Sequence, residues 1–311
     1  MSSRRTSIHL AALFLLPLIV AVFGISAAGA FALVLLMLAW RWAISLSLIT
    51  APPGGPELVL ESISASHFVE KVRWCLDRLG VDYAERPAGG TLGAFFLGHT
   101  VPRLWFRAGV SRSNIGNSSE ILRYLWGRYA AERPAEAAFL EATPERLELE
   151  RRIDRCGADL QVWVYFHLLD HRELTLHAWG ANSTAIPAWQ RAVLKLLYPL
   201  LAFLIRRAFR ISPRQHQRAV AHLDDLMGDV EARLADDPVS ILGGDTVNYT
   251  DLAFAAIMGL WLMPAAYGGG RADPVRIAVD ELPEAMRDEI DGWKTRFPRV
   301  TRFIEARYAE R

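Results

Sequence analysis

The sequence predicts a small α/β domain followed by an all-helical domain, with an apolar segment in front of both. Residues 57–125 alternate strand-like and helix-like patterns, whereas no convincing strand pattern follows residue 134. Residues 8–40 contain no Asp, Glu, Lys or Arg, and this stretch is longer than the roughly 20 residues of one membrane span. We therefore predict a membrane anchor at 1–50, a linker at 51–56, an α/β domain at 57–130 and a helical domain at 140–311.

Composition narrows the possible functions. The chain has 311 residues and a net charge of +1, so it lacks the basic balance typical of a protein that binds nucleic acid. Its two cysteines, Cys75 and Cys156, form neither a CxxC pair nor a metal-ligand spacing. We expect no disulfide framework and a reducing compartment.

The apolar segment is best explained by two transmembrane helices, at about 8–25 and 29–48, joined by a tight turn rich in small residues. Arg4 and Arg5 precede the first helix and Arg41 lies near the end of the second, and the positive-inside rule then keeps both ends of the hairpin in the cytoplasm. A single tilted or kinked span, or a signal peptide cleaved after Ala30, remains possible. Three prolines and two glycines in residues 51–56 end the helix and form the linker.

Ser66 stands between a predicted strand at 57–63 and a predicted helix at 69–79. Unpaired backbone N–H groups and the helix dipole favour negative charge at a helix N-terminus, so a hydroxyl there can help stabilise an anion. The same position also suits an ordinary N-cap serine, and the two roles are compatible. Ser64 is a weaker candidate for the same role, and His67 could contact the same anion.

Two later motifs complete the pattern. Val101-Pro102 precedes a predicted strand, and Asn117-Ser118 precedes a helix whose apolar positions Ile121 and Leu125 share one face. Ser118 would offer a hydroxyl and a backbone N–H to a carboxylate. Asn117 could instead form a capping box with Glu120.

In this order, the three motifs resemble the thioredoxin-like N-terminal domain of the glutathione transferase family, and the resemblance extends over about residues 57–308. Ser66-His67-Phe68-Val69-Glu70-Lys71-Val72-Arg73 is similar to the family's serine-type motif, with histidine where proline is usual. The resemblance implies that Ser66 activates the thiol of bound glutathione as a thiolate, which is the nucleophile. It also implies a cis Val101–Pro102 bond, pairing of the Val101 backbone with the cysteinyl part, and contact of Asn117 and Ser118 with the γ-glutamyl end.

Glutathione is thus the expected co-substrate, with Ser66, Val101, Pro102, Asn117 and Ser118 as its contacts. The other expected partners are a hydrophobic electrophile and membrane lipid, and a homodimer with a second copy of the chain stays open. The resemblance and the anchor together suggest a bacterial inner membrane, with the transferase-like part in the cytoplasm. The alternative is a non-catalytic interaction module on the same fold, as in the metaxin-like proteins, because a fold alone does not establish a function.

Two features of the helical half carry further expectations. Asn248 and Asp251 have the spacing of a capping box at the start of a helix, which resembles the buried helix of the family's C-terminal domain. Residues 193–205 are strongly apolar but contain Lys195 and Pro199. They predict either a helix buried in the domain or, alternatively, a helix lying on a membrane surface.

Overall fold

The computed structural model describes residues 54–90 and 101–311, together with isolated helical positions between residues 28 and 43. The predicted membrane hairpin lies largely outside these residues. At the described positions of its second helix, apolar side chains are exposed, among them Phe31, Leu36 and Trp42. By their internal contacts, the described residues form two units. One contains the described residues up to Val59 and residues 105–114, and the other contains residues 60–104 and 115–311.

Strands and helices alternate in the α/β part as the sequence predicts. Its elements are β1 (Leu58–Ser62), α1 (His67–Leu79), β2 (Ala84–Pro87), β3 (Arg103–Ala108), β4 (Ser111–Gly116) and α2 (Ser118–Tyr129). The four strands form one sheet in the order β2-β1-β3-β4. This is the thioredoxin-like sheet that the motifs around Ser66 and Pro102 indicate.

Helix α1 begins and ends at residues suited to those positions. Ser66 is its N-cap, and Gly80 ends it in the left-handed conformation at φ 63°, which glycine adopts without steric cost. The N–H of Val81 reaches back to the carbonyl of Leu76, at 3.5 Å. This bond holds Val81 at the helix end, and β2 starts three residues later, at Ala84.

The remaining described chain is helical, apart from turns and short 3-10 segments. The helices are α3 (Pro134–Ala137), α4 (Pro144–Leu168), α5 (Arg172–Ala178), α6 (Ala188–Ala208), α7 (Pro213–Arg233), α8 (Tyr249–Leu262), α9 (Glu284–Arg296) and α10 (Pro298–Ala309). Helix α4 packs against α7 and α8, and α8 also packs against α1. The indole rings of Trp163, Trp261 and Trp293 meet at the centre, with centroids 4.9 and 5.6 Å apart.

The predicted capping box at the start of α8 is confirmed. Asn248 accepts from the N–H of Thr250 at 2.9 Å, and one carboxylate oxygen of Asp251 accepts from the N–H of Asn248 at 2.8 Å. The other oxygen of Asp251 accepts from the N–H of Ile241, also at 2.8 Å. Asp251 is fully buried, so it fixes both the start of α8 and the loop before it.

Helix α6 extends through Pro199, although a proline inside a helix normally breaks it. Pro199 has no N–H to donate to the carbonyl of Lys195. Arg172 supplies the missing donor, because its Nη2 lies 3.1 Å from that carbonyl oxygen. The helix therefore reaches 21 residues and, among the described residues, is the one helix long and apolar enough to cross a membrane.

Replacing Asp251 with alanine tests the importance of this cap. The change leaves two buried N–H groups unpaired, and each costs roughly 1–3 kcal/mol, so we expect Asp251→Ala to lower the free energy of unfolding by about 2–6 kcal/mol. Ser212→Ala is the matched control, because the Ser212 side chain caps α7 through one N–H, that of Gln215, and a lost cap costs about 1 kcal/mol. Chemical denaturation followed by circular dichroism measures both. Equal losses in the two variants would contradict the assigned role of Asp251.

Candidate functional site

The five residues that sequence analysis selects line the same cavity. Ser66, Val101, Pro102, Asn117 and Ser118 all border a space of about 660 Å³. The cavity lies within the larger unit, between the ends of the α/β elements and several helices that follow them. The chain thus brings together residues that three separate motifs supply.

Ser66 lies at the N-terminus of α1, half-buried at the edge of the cavity. Its Oγ accepts from the N–H of Val69 at 3.4 Å, which is a long hydrogen bond. An accepting hydroxyl keeps its own proton free to donate. Ser66 is therefore both the N-cap of α1 and a donor available to an anion in the cavity.

Val101 and Pro102 are the residues that the segment before β3 contributes to the cavity lining. The predicted cis peptide bond between them is confirmed. Pro102 is buried and Val101 is half-buried, and both border the cavity just before β3 begins at Arg103.

Asn117 has an uncommon backbone conformation, with φ 68° and ψ 128°. Its side chain accepts from the N–H of Ser119 at 2.9 Å, so it caps α2 through that amide and not through Glu120. Ser118 follows as the first residue of α2 and is almost fully buried. Because residues held in sparsely populated conformations concentrate at functional sites, the geometry at Asn117 supports a ligand-binding role for this turn.

Beneath Asn117 and Ser118 lies a buried cluster of charges that sequence analysis did not identify. The Nζ of Lys71, which is fully buried, lies 2.8 Å from Glu150 Oε1 and 2.8 Å from Asp154 Oδ1. Ser119 Oγ donates to Asp154 Oδ2 at 2.5 Å. Burial acts to raise the pKa of Glu150, but the Lys71 ammonium and then Arg123 outweigh it and hold that pKa below its usual value.

Asp154 is the part of this cluster that reaches the cavity, with a quarter of its side chain exposed. It is the acidic side chain among the described lining residues. Its position one helical turn after Glu150 places both carboxylates on one face of α4, and this spacing could have indicated a pair facing a buried cation.

His67 is neutral and serves to hold α1 against α4. Its ring is buried, and Nε2 donates to the carbonyl of Gly157 at 2.9 Å. Burial lowers the pKa of His67 to about 4, an effect that the hydrogen bond to Gly157 only partly opposes. The ring therefore does not supply a positive charge to an anion near Ser66 at neutral pH.

Gly157 allows the close approach of this segment. A Cβ atom there would lie 2.8 Å from Cζ of Phe68 and 3.3 Å from Nε2 of His67. Phe68 itself borders the cavity. A glycine on α4 thus sets how closely α1 and the Phe68 ring can pack.

The helical wall of the cavity is apolar. Helix α4 contributes side chains at helical spacing: Gln161, Val164, Tyr165 and Leu168. Later elements add further apolar groups, among them Trp179, Ile205, Met263 and Met286. The aromatic side chains of α4 have different roles: Tyr165 borders the cavity, whereas Trp163 packs in the core.

The two cysteines do not contribute to this site. Neither lines the cavity, and both thiols are free and buried. Burial raises the pKa of Cys75 and of Cys156 to about 12 in each case. Both thiols therefore stay protonated at neutral pH, so a nucleophilic sulfur in the cavity has to come from a bound ligand.

The thioredoxin-like sheet, the cis proline before β3 and the helices that follow form a glutathione-transferase-like fold. Among solved structures, the chain is similar to a glutathione transferase from Methylobacterium radiotolerans in complex with glutathione sulfonate, at 16% identity and a TM-score of 0.46. That match covers 80% of this chain and 89% of the other. A glutathione transferase from Pseudomonas putida, with one glutathione disulfide bound per subunit, is 14% identical, covers 82% and 88% of the two chains, and has a TM-score of 0.46.

A third similar structure is a glutathione transferase from Methylobacillus flagellatus with glutathione bound. It is 12% identical, covers 80% of this chain and 93% of the other, and has a TM-score of 0.46. No protein-family model matches the chain. No curated protein matches it either.

The lowered pKa of His67 predicts a specific pH dependence of stability. An unfolded histidine binds a proton near pH 6.5, whereas folded His67 resists protonation down to about pH 4. Protons therefore favour the unfolded state between these values, and the free energy of unfolding should fall as the pH drops from 6.5 towards 4. The slope contributed by one histidine is at most about 1.4 kcal/mol per pH unit.

His67→Gln is the control for this effect, because glutamine can still donate a hydrogen bond but does not titrate. Urea denaturation at several pH values should show a shallower pH dependence in the variant than in the wild type. Parallel curves for the two proteins would show that His67 does not contribute in this way.

Proposed function

We propose that this chain is a glutathione transferase that joins the thiol of glutathione to a hydrophobic electrophile. The observation that carries the proposal is the convergence of Ser66, Val101, Pro102, Asn117 and Ser118 on one cavity. Three of these residues lie at two helix N-termini, Ser66 at α1 and Asn117 and Ser118 at α2. Helix N-termini favour negative groups such as the thiolate and the γ-glutamyl carboxylate of glutathione.

We assign a part of glutathione to each residue. The γ-glutamyl carboxylate binds at the N-terminus of α2, where Ser118 offers its hydroxyl and backbone N–H. The backbone of Val101 pairs with the cysteinyl part beside Pro102. Asn117 carries no charge to pair with the γ-glutamyl ammonium, and the partly exposed carboxylate of Asp154 supplies negative charge on the same side of the cavity.

The chemical step follows from the position of Ser66. The thiol of glutathione releases its proton to solvent, and the Ser66 hydroxyl donates a hydrogen bond to the resulting thiolate. The sulfur then attacks an electrophilic carbon, a C–S bond forms, and the leaving group departs with the bonding electron pair. The apolar wall formed by Tyr165, Leu168, Trp179 and Met286 suits an apolar electrophile.

Ser66→Ala tests the catalytic assignment. Loss of one preorganised donor to an anion typically costs on the order of 10²–10³ in rate, so conjugation of a chromogenic electrophile should fall by about that factor. The thiolate absorbance of bound glutathione should titrate at higher pH in the variant. Ser64→Ala is the matched control, because Ser64 precedes α1 as well but does not line the cavity.

Calorimetric titration with glutathione separates the two classes of function. Wild type, Ser66→Ala and Ser64→Ala should all bind the tripeptide, since Val101 and Ser118 remain. If the wild type binds no glutathione at millimolar concentration, the enzyme proposal fails and a non-catalytic interaction module takes its place.

We also propose that the protein is anchored in a membrane by residues 8–48, with the glutathione-binding part in the cytoplasm. The support is the uncharged run of residues 8–40 and the exposed apolar side chains at its described helical positions. Exposure of an apolar helix to water is unfavourable, so such a segment has to be buried against lipid or another apolar surface.

Helix α6 supports a second contact with lipid. One face of it is buried, through Leu194, Tyr198, Leu201, Ala202 and Ile205. The other face exposes Leu196, Leu200 and Phe203, at 78, 51 and 60% of their full areas. Basic residues and no acidic ones lie within the helix, among them Lys195 and Arg207, and this combination fits the surface of an anionic bilayer.

A fluorescent label on Leu200→Cys tests this contact in the full-length protein reconstituted in vesicles containing phosphatidylglycerol. Cys75 and Cys156 are buried, so the added thiol should react selectively. We expect lipids with spin-labelled acyl chains to quench the label at position 200. Val239→Cys is the control, because Val239 is exposed but lies outside α6, and its label should stay unquenched. Equal accessibility of the two labels to lipid would exclude a specific contact by α6.

A further inference from the structure

Three side chains outside the cavity converge between helices α4, α7 and α9. Nε2 of His167 lies 3.5 Å from Oε1 of Glu289, and Nε2 of His216 lies 3.3 Å from Oε2 of the same carboxylate. One donor atom from each residue lies within 4.8 Å of the other two. None of the three residues lines the cavity described above.

Both imidazoles lie at ion-pair distance from Glu289, but well-aligned hydrogen bonds do not account for this arrangement. His167 is about 95% buried and His216 about 88% buried, yet neither Nε2 atom has a hydrogen-bond partner of acceptable geometry. Buried polar atoms are nearly always paired, so two orphaned imidazole nitrogens aimed at one carboxylate need an explanation.

The spacing fits a metal ion. Bonds of about 2.0–2.2 Å to a tetrahedral Zn²⁺ place neighbouring ligand atoms about 3.3–3.5 Å apart. The two distances from the imidazole nitrogens to the carboxylate oxygens fall in this range. Two imidazoles and one carboxylate are also a ligand set that Zn²⁺ accepts, with a fourth position left for water.

The surroundings hold the three groups in place. The indole N–H of Trp163 donates to Oε2 of Glu289 at 2.6 Å, as a second shell commonly does for a ligating carboxylate. The ring of Phe166 stacks on His216, with centroids 4.1 Å apart, and meets His167 edge-on. Glu289 keeps about a third of its side chain exposed, which gives a solvated ion a path to the site.

We propose that His167, His216 and Glu289 bind one Zn²⁺ ion. The ion joins α4, α7 and α9 at a point separate from the cavity, so it stabilises the helical part without taking part in the chemistry at Ser66. The proposal does not depend on glutathione binding.

The test uses the full-length protein in detergent, with any affinity tag removed and metal stripped by a chelator. Titration with Zn²⁺ against a chromophoric chelator should show one tight site per chain. Titration with Co²⁺ should produce the visible absorption of a tetrahedral centre with nitrogen and oxygen ligands. This spectrum is read from the wild type and needs no variant.

His216→Gln and Glu289→Gln should each weaken Zn²⁺ binding by tenfold or more. His222→Gln is the matched control: His222 also lies on α7 and faces a carboxylate, Asp159 at 2.9 Å, but among the described residues it belongs to no group of three possible metal ligands. Its variant should bind Zn²⁺ as the wild type does. Circular dichroism checks that each variant is folded.

Two results would overturn the proposal. One is wild-type protein that binds no Zn²⁺ at micromolar concentration and gives no Co²⁺ spectrum, which would leave the cluster as an ion pair between histidine and glutamate. The other is binding that His216→Gln and Glu289→Gln leave unchanged, which would place the metal elsewhere.

Discussion

The buried ammonium of Lys71 is the interaction on which the candidate site depends. It lies on α1, pairs with Glu150 and Asp154 of α4, and contacts Ser119 at the start of α2 at 3.1 Å. Removing one member of a buried ion cluster leaves unpaired charge in the interior and typically costs about 3–5 kcal/mol. One side chain thus fixes the three helices that carry Ser66, Ser118 and Asp154 to each other. The relative positions of these helices determine the shape of the cavity between them.

A second buried cluster fixes the opposite side of the same helix. Arg73 donates to both carboxylate oxygens of Glu85, at 3.0 and 2.6 Å, and to Glu70 at 3.2 Å. Arg311 reaches Glu70 at 2.5 Å and packs over the ring of Trp74. Lys71 and Arg73 of the sequence motif therefore work as structural cations on opposite sides of α1, while Ser66 at its start stays available for a ligand.

Local sequence signals predicted much of this architecture. The caps at Ser66 and Asn248 and the start of α2 at Ser118 depend on neighbouring residues, and all stand where the sequence indicated. The five candidate ligand contacts were found through their motifs. Their meeting at one cavity follows from the thioredoxin-like sheet.

Local motifs and caps could not predict contacts between distant segments of the chain. In the sequence, Asp154 is one of many acidic residues on a long helix. Only the structure shows that it pairs with Lys71. His167, His216 and Glu289 share no motif, and only the packing of three helices brings them together. The length of α6 was also underestimated, because the sequence did not reveal that Arg172 would satisfy the carbonyl left open by Pro199.

Gly157 gives the fold a way to change its ligand preference from outside the cavity. The residue touches no ligand site itself, but it determines how deeply the Phe68 ring can settle between α1 and α4. A bulkier residue there would displace the ring, which borders the cavity, and so change the space available to a bound molecule. Substrate range in this architecture can therefore diverge between related chains whose ligand-contacting residues are identical.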